Sequence, residues 1–305
     1  MLFTKMHGLG NAYVILNQLE EAGLNQDFSE LSKIISDVNF GIGADGIILI
    51  SSSKTADFQM RIFNEDGSEA ETCGNGIRCV AKYLFDHMYA TMSRFSIETG
   101  GGVVDVEVEL SNKQTVESIT VNMGEPKLLK GMIPMMGDPF VTAINESYSF
   151  EGNVYQLTCL SMGNPHAILF VEDVYVFPLE KVGPIIEHSM LFPERVNVGI
   201  VRVINRQELD YRVWERGSGI TMACGTGACA AVVAATLNEW LDKYQPVTVH
   251  LPGGDLTIRW DEQGHVWKKG EAAYICHGEW GMDSTIKQGG YEYEQRKGSR
   301  NGEGT

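Results

Sequence analysis

Two cysteines stand in matching surroundings and have the chemistry needed for proton transfer at carbon. Cys73 and Cys224 are each followed by Gly-x-Gly and then by an apolar run. This order predicts the start of a helix whose first backbone N–H groups are open to a ligand. A helix N-terminus carries partial positive charge, which favours an anion and should lower the pKa of a thiol below its usual ~8.5. The sequence therefore predicts two easily ionised thiols, each beside a site for an anion.

Two such thiols suit the inversion of a stereocentre. A single base tends to return a proton to the face from which it came, whereas two thiols on opposite faces of an α-carbon serve as base and acid in either direction. An alternative stays open from these residues alone. Small buried cysteines are common, so both could be ordinary packing residues at the helix starts of a duplicated fold.

The second half of the chain repeats the plan of the first. Gly10-Asn11 is echoed by Gly163-Asn164, and Val38-Asn39 by Val196-Asn197; the two cysteine segments and two later Gly-Gly pairs follow in the same order. Internal repetition of this kind predicts duplication. We therefore expect an α+β fold of two similar, pseudo-symmetric domains. Each has a mostly antiparallel sheet around a central helix, with the active site in the cleft between them.

The spacing of apolar residues predicts where the strands and helices of these domains lie. It predicts strands over 2–6, 13–16, 58–63 and 104–110, and helices over 29–38, 75–89 and 228–240, with Val38 on the buried face of the first helix. A stretch of loose periodicity places the boundary so that the first domain covers 1–125 and the second 126–285. The glycine-rich, polar residues 286–305 are expected to form a disordered tail.

Composition limits the partners of the chain. Its 305 residues carry a net charge of −16, which argues against nucleic acid or an anionic membrane and leaves a small-molecule substrate. The first residues lack the pattern of a secretory signal, and no apolar run is long enough to span a membrane, so we expect a cytoplasmic protein. The sequence does not decide between a monomer and a homodimer.

The six cysteines are expected to be free thiols. No C-x-x-C pair occurs, so a structural zinc site is not expected. Besides the two cysteines at the glycine turns, the other four are interpreted as packing residues: Cys79, Cys159, Cys229 and Cys276.

Seven segments in order resemble the diaminopimelate epimerase family, and the resemblance extends from Phe3 to about Trp280. These segments are Lys5–Asn11, Gly41–Gly46, Phe63-Asn64, Cys73–Gly76, Gly163–His166, Glu215–Gly217 and Ala223–Gly227. The resemblance implies an isomerase that interconverts LL- and meso-diaminopimelate in lysine and cell-wall precursor biosynthesis, without a cofactor or a metal. The chain departs from the family pattern at Ala12-Tyr13, where Asp-Phe is usual, and at Lys269-Gly270-Glu271, where Thr-Gly-Pro is frequent.

The resemblance also implies roles for particular residues. Cys73 and Cys224 would be the paired acid and base. Backbone N–H groups of four residues would bind the reacting α-carboxylate and stabilise charge that spreads into it: Gly74, Asn75, Gly225 and Thr226. Asn11 and Asn164 would hold the distal amino-acid group, with Asn64, Asn197, Glu215 and Arg216 around the substrate. His166 and Glu215 would act as proton acceptors that set the charge of the thiols.

Each of these residues also has an ordinary structural explanation. Asn11 and Asn164 stand beside glycines and could be turn residues. Glu215 and Arg216 could form a solvated pair, and His166 could be a buried histidine with its hydrogen bonds satisfied.

Three other functions stay open. The first is a cofactor-independent racemase of another amino acid, such as proline or hydroxyproline. The second is a binding protein that retains the fold without turnover. The third is a pyridoxal-phosphate racemase, against which the sequence offers no recognisable lysine site or phosphate loop.

Overall fold

The computed structural model describes residues 1–20, 26–70 and 74–281. Cys73 and the predicted tail 286–305 therefore lie outside the described residues.

Among the described residues, the first half of the chain contains eight strands and two helices. They are β1 (Leu2–Gly8), β2 (Asn11–Asn17), α1 (Phe28–Ser36), β3 (Gly46–Ser51), β4 (Phe58–Asn64), β5 (Glu69–Ala70), α2 (Gly74–Asp86), β6 (Arg94–Thr99), β7 (Gly102–Leu110) and β8 (Val116–Asn122).

The second half follows a short 3-10 helix, Lys130–Met132. Its elements are β9 (Ala143–Phe150), β10 (Asn153–Ser161), β11 (Pro165–Phe170), α3 (Leu179–Glu187), β12 (Asn197–Asn205), β13 (Glu208–Glu215), β14 (Gly219–Ile220), α4 (Gly225–Leu237), β15 (Val247–Leu251), β16 (Gly254–Trp260), β17 (Val266–Gly270) and β18 (Ala273–Glu279).

The order and pairing of these elements repeat. From β1 to β8, every strand and helix has a counterpart in the same order from β10 to β17. The parallel pairs β2–β3 and β4–β6 correspond to β11–β12 and β13–β15, and the pairings around them are antiparallel. The prediction of two similar α+β domains with mostly antiparallel sheets is confirmed.

Each half is built around its second helix. One large core cluster surrounds α2, and a second surrounds α4, with smaller clusters beside α1 and α3. The α4 sequence consists mainly of alanine, valine and glycine, and it is buried along its whole length from Gly225 to Thr236 except at Thr226. Small side chains on every face let strands approach a helix from all sides, so this composition produces a central helix.

Two strands of the second half pair with strands of the first half. β9 pairs with β10 within the second half, whereas β18 pairs with β1 of the first half. β17 also pairs with β8, so Lys268 lies opposite Val121 across the junction. The sheets of the two halves are therefore continuous, which holds α2 and α4 in a defined relation.

Two predictions about burial are wrong. Val38 is 82% exposed because α1 ends at Ser36. The Asp37 side chain then accepts hydrogen bonds from the N–H groups of Asn39 and Phe40, which turns the chain away from the helix. Cys276 is exposed on β18, whereas Cys79, Cys159 and Cys229 are buried as predicted.

Candidate active site

The N-termini of the two central helices meet at the junction of the halves. In the first turn of α2, the buried Asn75 donates from Nδ2 to the carbonyl oxygen of Ala223, 3.3 Å away, and to Oδ1 of Asn11, 3.4 Å away. Oδ1 of Asn75 would lie 3.3 Å from a Cβ built on Gly225. The two predicted carboxylate-binding turns therefore lie against each other, with Asn11 beside them.

Cys224 is the residue that introduces α4. Its backbone is extended, and its carbonyl accepts the hydrogen bond of Ala228 N at 3.0 Å. Its side chain does not cap the helix; Sγ lies 3.5 Å from Oγ1 of Thr226. The thiol is only 4% exposed. It is thus held in a largely water-free position at the helix start.

The charge environment of Cys224 differs from the expectation. Burial raises the pKa of this thiol well above its ordinary value, and the nearby Glu215 carboxylate raises it further. Thr226 and the backbone of Gly227 act in the opposite direction but do not offset desolvation. The prediction of an easily ionised thiol is therefore wrong for Cys224 in this structure, and the thiol is neutral at neutral pH.

Glu215 forms an acid–base pair with that thiol. Burial raises the pKa of the Glu215 carboxyl, while hydrogen bonds with Thr221 and Cys224 oppose the shift. The Thr221 hydroxyl donates to Oε1 of Glu215. The Glu215 carboxylate therefore lies where it can accept a proton from the Cys224 thiol, and its role as a proton acceptor stays a prediction.

A buried carboxylate that sequence reasoning missed holds the Glu215–Arg216 segment. Glu187, at the end of α3, is 2% exposed. It accepts hydrogen bonds from the Trp214 indole N–H at 2.7 Å and from Gly217 N at 3.0 Å. Its only sequence signal is a charged residue among apolar residues on a short helix. Glu187 thus fixes the chain on both sides of Glu215 and Arg216.

Asn197 supports the same segment from the neighbouring strand. It donates from Nδ2 to the carbonyl of Pro165 at 3.1 Å and accepts from Arg216 N at 2.9 Å. The Arg216 guanidinium is exposed and donates to the carbonyl of Glu194 at 2.9 Å. The structure therefore brings Asn197, Glu215 and Arg216 together.

His166 lies in the interior of the second half, next to Asn164. It lies beside Asn197 on the paired strand, is fully buried, and its Nε2 lies 3.0 Å from Oδ1 of Asn164. Burial, and then the charge of Arg216, lower its pKa to about 3, so the imidazole is neutral. The contact with Asn164 orients the imidazole. The role of His166 as a proton acceptor for the thiols stays a prediction.

The two remaining predicted asparagines are fixed by local contacts. Asn11 donates from Nδ2 to Oδ2 of Asp45 at 2.7 Å, and the same oxygen accepts from Ala12 N at 2.6 Å. Asp45 is therefore a further positioning residue, and its presence in a matched segment was the available signal. Asn64 ends β4 and donates to Oγ of Ser68 at 3.0 Å. This contact holds its side chain within its own turn.

The described part of the chain shows no cluster of three or more His, Cys, Asp or Glu residues that could hold a metal ion. None of the helices in residues 1–20, 26–70 and 74–281 is long and apolar enough to cross a membrane.

Comparison with known proteins decides the family. A family model described as Diaminopimelate epimerase matches residues 3–129 and 158–275. The chain belongs to the diaminopimelate epimerase family. Proteins named diaminopimelate epimerase from Oceanobacillus iheyensis and Bacillus cereus are 51% and 49% identical to it over 276 residues, which is 90% of this chain and 96% of each relative.

Solved structures share the fold of this family member at low identity. A hydroxyproline epimerase from Agrobacterium vitis, with trans-4-hydroxy-L-proline bound, aligns with a TM-score of 0.68 at 14% identity, covering 93% of both chains. A phenazine biosynthesis protein of the PhzF family from Bacillus anthracis aligns with a TM-score of 0.67 at 15% identity, covering 92% of this chain and 98% of that one. These similarities confirm the two-domain fold.

Proposed function

We propose that this chain interconverts LL- and meso-diaminopimelate by proton transfer between Cys73 and Cys224, without a cofactor. One observation carries the proposal: helix N-termini from the two halves meet, with Cys224 directly before one of them. Cys73 directly precedes the other, α2, in the sequence. We further infer that the chain works in the cytoplasm as a biosynthetic enzyme.

The joined helix starts provide the binding site for the reacting α-carboxylate. The first N–H groups of α2 and α4, on Gly74, Asn75, Gly225 and Thr226, have no intrahelical acceptor and suit a carboxylate. When the α-proton leaves, negative charge spreads from the carbon into this carboxylate. Donors already in place stabilise that charge without rearrangement, which lowers the barrier.

The environment of Cys224 defines its part in the reaction. As a neutral thiol it is ready to donate a proton to the carbanion. In the reverse direction it must be a thiolate, and Glu215 is the group that takes its proton. Because burial raises the thiol pKa, the thiolate is a strong base once formed, and exclusion of water preserves that basicity.

The distal end of diaminopimelate carries both an ammonium and a carboxylate, and the surrounding polar groups suit it. We assign its binding to Asn11, Asn64, Asn164, Asn197 and Arg216. Asn11 is already oriented by Asp45 and Asn75, and Asn164 by His166. A site that hydrogen-bonds both distal groups rejects substrates that lack one, because its own polar groups are then left unpaired.

Exchange of α-protons with deuterated water tests this function. The purified protein, without added cofactor, is incubated separately with LL-diaminopimelate, lysine, proline and hydroxyproline, and NMR follows the α-proton signals. We expect rapid exchange and conversion of the LL isomer and exchange of the other three slower by at least a hundredfold. Comparable exchange of proline or hydroxyproline would replace the proposal by the general racemase, and no exchange at all would favour a binding protein.

A further inference from the structure

One buried carboxylate lies where two physical effects disfavour it. Glu187 is the last residue of α3 and is 2% exposed. The C-terminal end of a helix carries partial negative charge, and an anion loses its hydration when it is buried. Three groups compensate: the Trp214 indole N–H at 2.7 Å, Gly217 N at 3.0 Å and the Arg195 guanidinium at 3.7 Å. The benefit of a carboxylate at this position therefore lies in the residues that it holds.

The two oxygens of Glu187 hold the chain on either side of Glu215 and Arg216. Oε2 accepts from the side chain of Trp214, the residue before this pair, and Oε1 accepts from the backbone of Gly217, the residue after it. Gly217 has a φ of +80°, in the left-handed region that glycine adopts readily, and the chain turns there from β13 into β14. One carboxylate therefore fixes both the end of β13 and the turn that follows it.

The indole of Trp214 lies against the same helix. A Cβ built on Gly183 of α3 would lie 2.5 Å from Cγ of Trp214, a distance that no side chain tolerates. Glycine at this position lets α3 and the end of β13 approach closely. The Glu187 carboxylate then fixes the direction of the indole N–H. The segment from Trp214 to Gly217 is thus held on α3 by packing and by two directed hydrogen bonds.

Arg216 is held by its backbone and by its guanidinium. Its N–H donates to Oδ1 of Asn197 at 2.9 Å, and its Nη1 donates to the carbonyl of Glu194 at 2.9 Å. Arg195, the residue after Glu194, forms the ion pair with Glu187. Glu187 therefore contacts both the turn that carries Arg216 and the loop that accepts its guanidinium. Loss of these contacts would free the turn and the loop to move relative to each other.

We propose that Glu187 determines specificity: it fixes the direction of the Arg216 guanidinium and thereby the preference for a substrate with a distal carboxylate. The inference rests on the proposed function, in which Arg216 binds the distal end of diaminopimelate. A guanidinium has five N–H donors, so the contact with Glu194 leaves others for a carboxylate. A two-bond contact between arginine and a carboxylate depends on planar geometry, which a small shift of the turn weakens. Glu187 is a positioning residue, since it acts through Arg216.

Glu215, the other residue between the two contacts, has supports of its own. Its carboxylate accepts from the Thr221 hydroxyl, and its backbone pairs with β14. The proton transfer proposed for Glu215 and Cys224 therefore depends less on Glu187 than the direction of Arg216 does. Loss of Glu187 should thus weaken substrate binding, measured by KM, more than turnover, measured by kcat. A general loss of folded protein would instead lower kcat and leave KM unchanged.

Glu187→Gln and a matched control on the same helix test the proposal. The amide keeps the shape of the side chain, but its NH2 group cannot accept from the donor that it faces, on Trp214 or Gly217. Glu180→Gln makes the same change at the exposed start of α3. For LL-diaminopimelate, we expect Glu187→Gln to raise KM about tenfold or more and to change kcat by less than about threefold. Glu180→Gln should leave both constants within about twofold of wild type. An unchanged KM, or a loss confined to kcat, in Glu187→Gln would overturn the proposal.

A double substitution shows whether Glu187 acts through Arg216. Arg216→Met removes the guanidinium, and in that background Glu187→Gln should raise KM by less than about twofold further, because the contact that it disturbs is already absent. The same increase of KM with and without the guanidinium would contradict the proposal.

A second variant serves if Glu187→Gln fails to fold. Trp214→Phe removes one of the donors and keeps the carboxylate, and we expect it to raise KM about threefold or more. A KM unchanged by Trp214→Phe would then overturn the proposal. The wild-type enzyme separates the two levels of the account. Its failure to exchange LL-diaminopimelate contradicts the proposed function, whereas wild-type exchange with an equal KM in Glu187→Gln contradicts only the role of Glu187.

Discussion

At the scale of single residues, the proposed chemistry depends on the Cys224 thiol and the Glu215 carboxylate beside it. The thiol is neutral because it is buried beside a carboxylate, and Glu215 has a raised pKa for the same reason of burial. The proton that the thiol must lose therefore has one acceptor close at hand. His166 is neutral and its Nε2 lies within hydrogen-bonding distance of Asn164.

Removing the Glu215 carboxyl should change the pH profile as well as the rate. Activity that needs the ionised carboxylate rises as pH increases through its pKa, which burial raises above the usual ~4.3. Glu215→Gln should therefore lower kcat/KM by about 10²-fold or more and eliminate this acid limb. The profiles of both proteins between pH 5 and 9 check this. An acid limb at the same pH in the variant would assign it to another group.

His166 should make stability depend on pH. Its folded-state pKa of about 3 lies below the unfolded value of ~6.5, so the unfolded chain binds the extra proton between these values. The contribution is fully present above the unfolded pKa and is lost as pH falls. Between pH 6.5 and 4.5, wild type should lose about 2 kcal/mol more of its unfolding free energy than His166→Gln. Urea titrations at both pH values measure this, and equal losses would mean that His166 is not neutral in the fold.

The sequence predicted the positions of these residues more accurately than their charge states. A cysteine before Gly-x-Gly predicts its place at a helix start, which is a local property, and Cys224 occupies that place. Its pKa depends on burial by distant strands and on a carboxylate nine positions earlier, so local sequence indicated the wrong direction. Glu187 acts across 27 and 30 residues on Trp214 and Gly217, a relation that no spacing rule reveals.

At the scale of elements, the start of α4 depends on small residues. A Cβ on Gly227 would lie 2.1 Å from the hydroxyl of Tyr211, which is buried on β13. Gly227→Ala should therefore destabilise the protein by about 1–3 kcal/mol through overpacking, although alanine favours helix. Tyr211→Phe should relieve part of this loss in the double variant. Thermal unfolding of the wild type, both single variants and the double variant measures this. If the losses of stability of the two single variants simply add in the double variant, the helix start shifts without contacting Tyr211.

Elements with clear periodicity or a clear turn were predictable, and those held by tertiary contacts were not. The central helices begin at the glycine turns, as expected, although both end three residues before the predicted limits. Neither α3 nor β9 was predicted. Pro184 lies inside α3, and the residues of β9 alternate weakly, so β9 depends on its pairing with β10. The N-cap of α1 is local: Asp27 accepts from the N–H groups of Ser29 and Glu30.

At the scale of the whole molecule, the pairing of β17 and β18 with strands of the first half makes the two halves interdependent. We expect a fragment of residues 1–125 to lack cooperative unfolding alone, because β1 would lose β18 and β8 would lose β17. Coexpression with a fragment of residues 126–285 should restore a folded complex and activity. Circular dichroism melts and size-exclusion chromatography of each fragment and of the pair measure this. A cooperative melt of the first fragment alone would show that it is an independent domain.

We propose that the joined halves place one thiol at each face of the substrate, and this is the central claim. Its most direct test is the isotope content of substrate and product at the earliest times of conversion of LL-diaminopimelate in deuterated water. With two thiols, the meso product carries deuterium at the inverted carbon while recovered LL substrate retains its proton, and Cys73→Ala or Cys224→Ala abolishes conversion. Protium retained in the product, early deuterium in recovered substrate, or near wild-type conversion by either cysteine variant would contradict the claim.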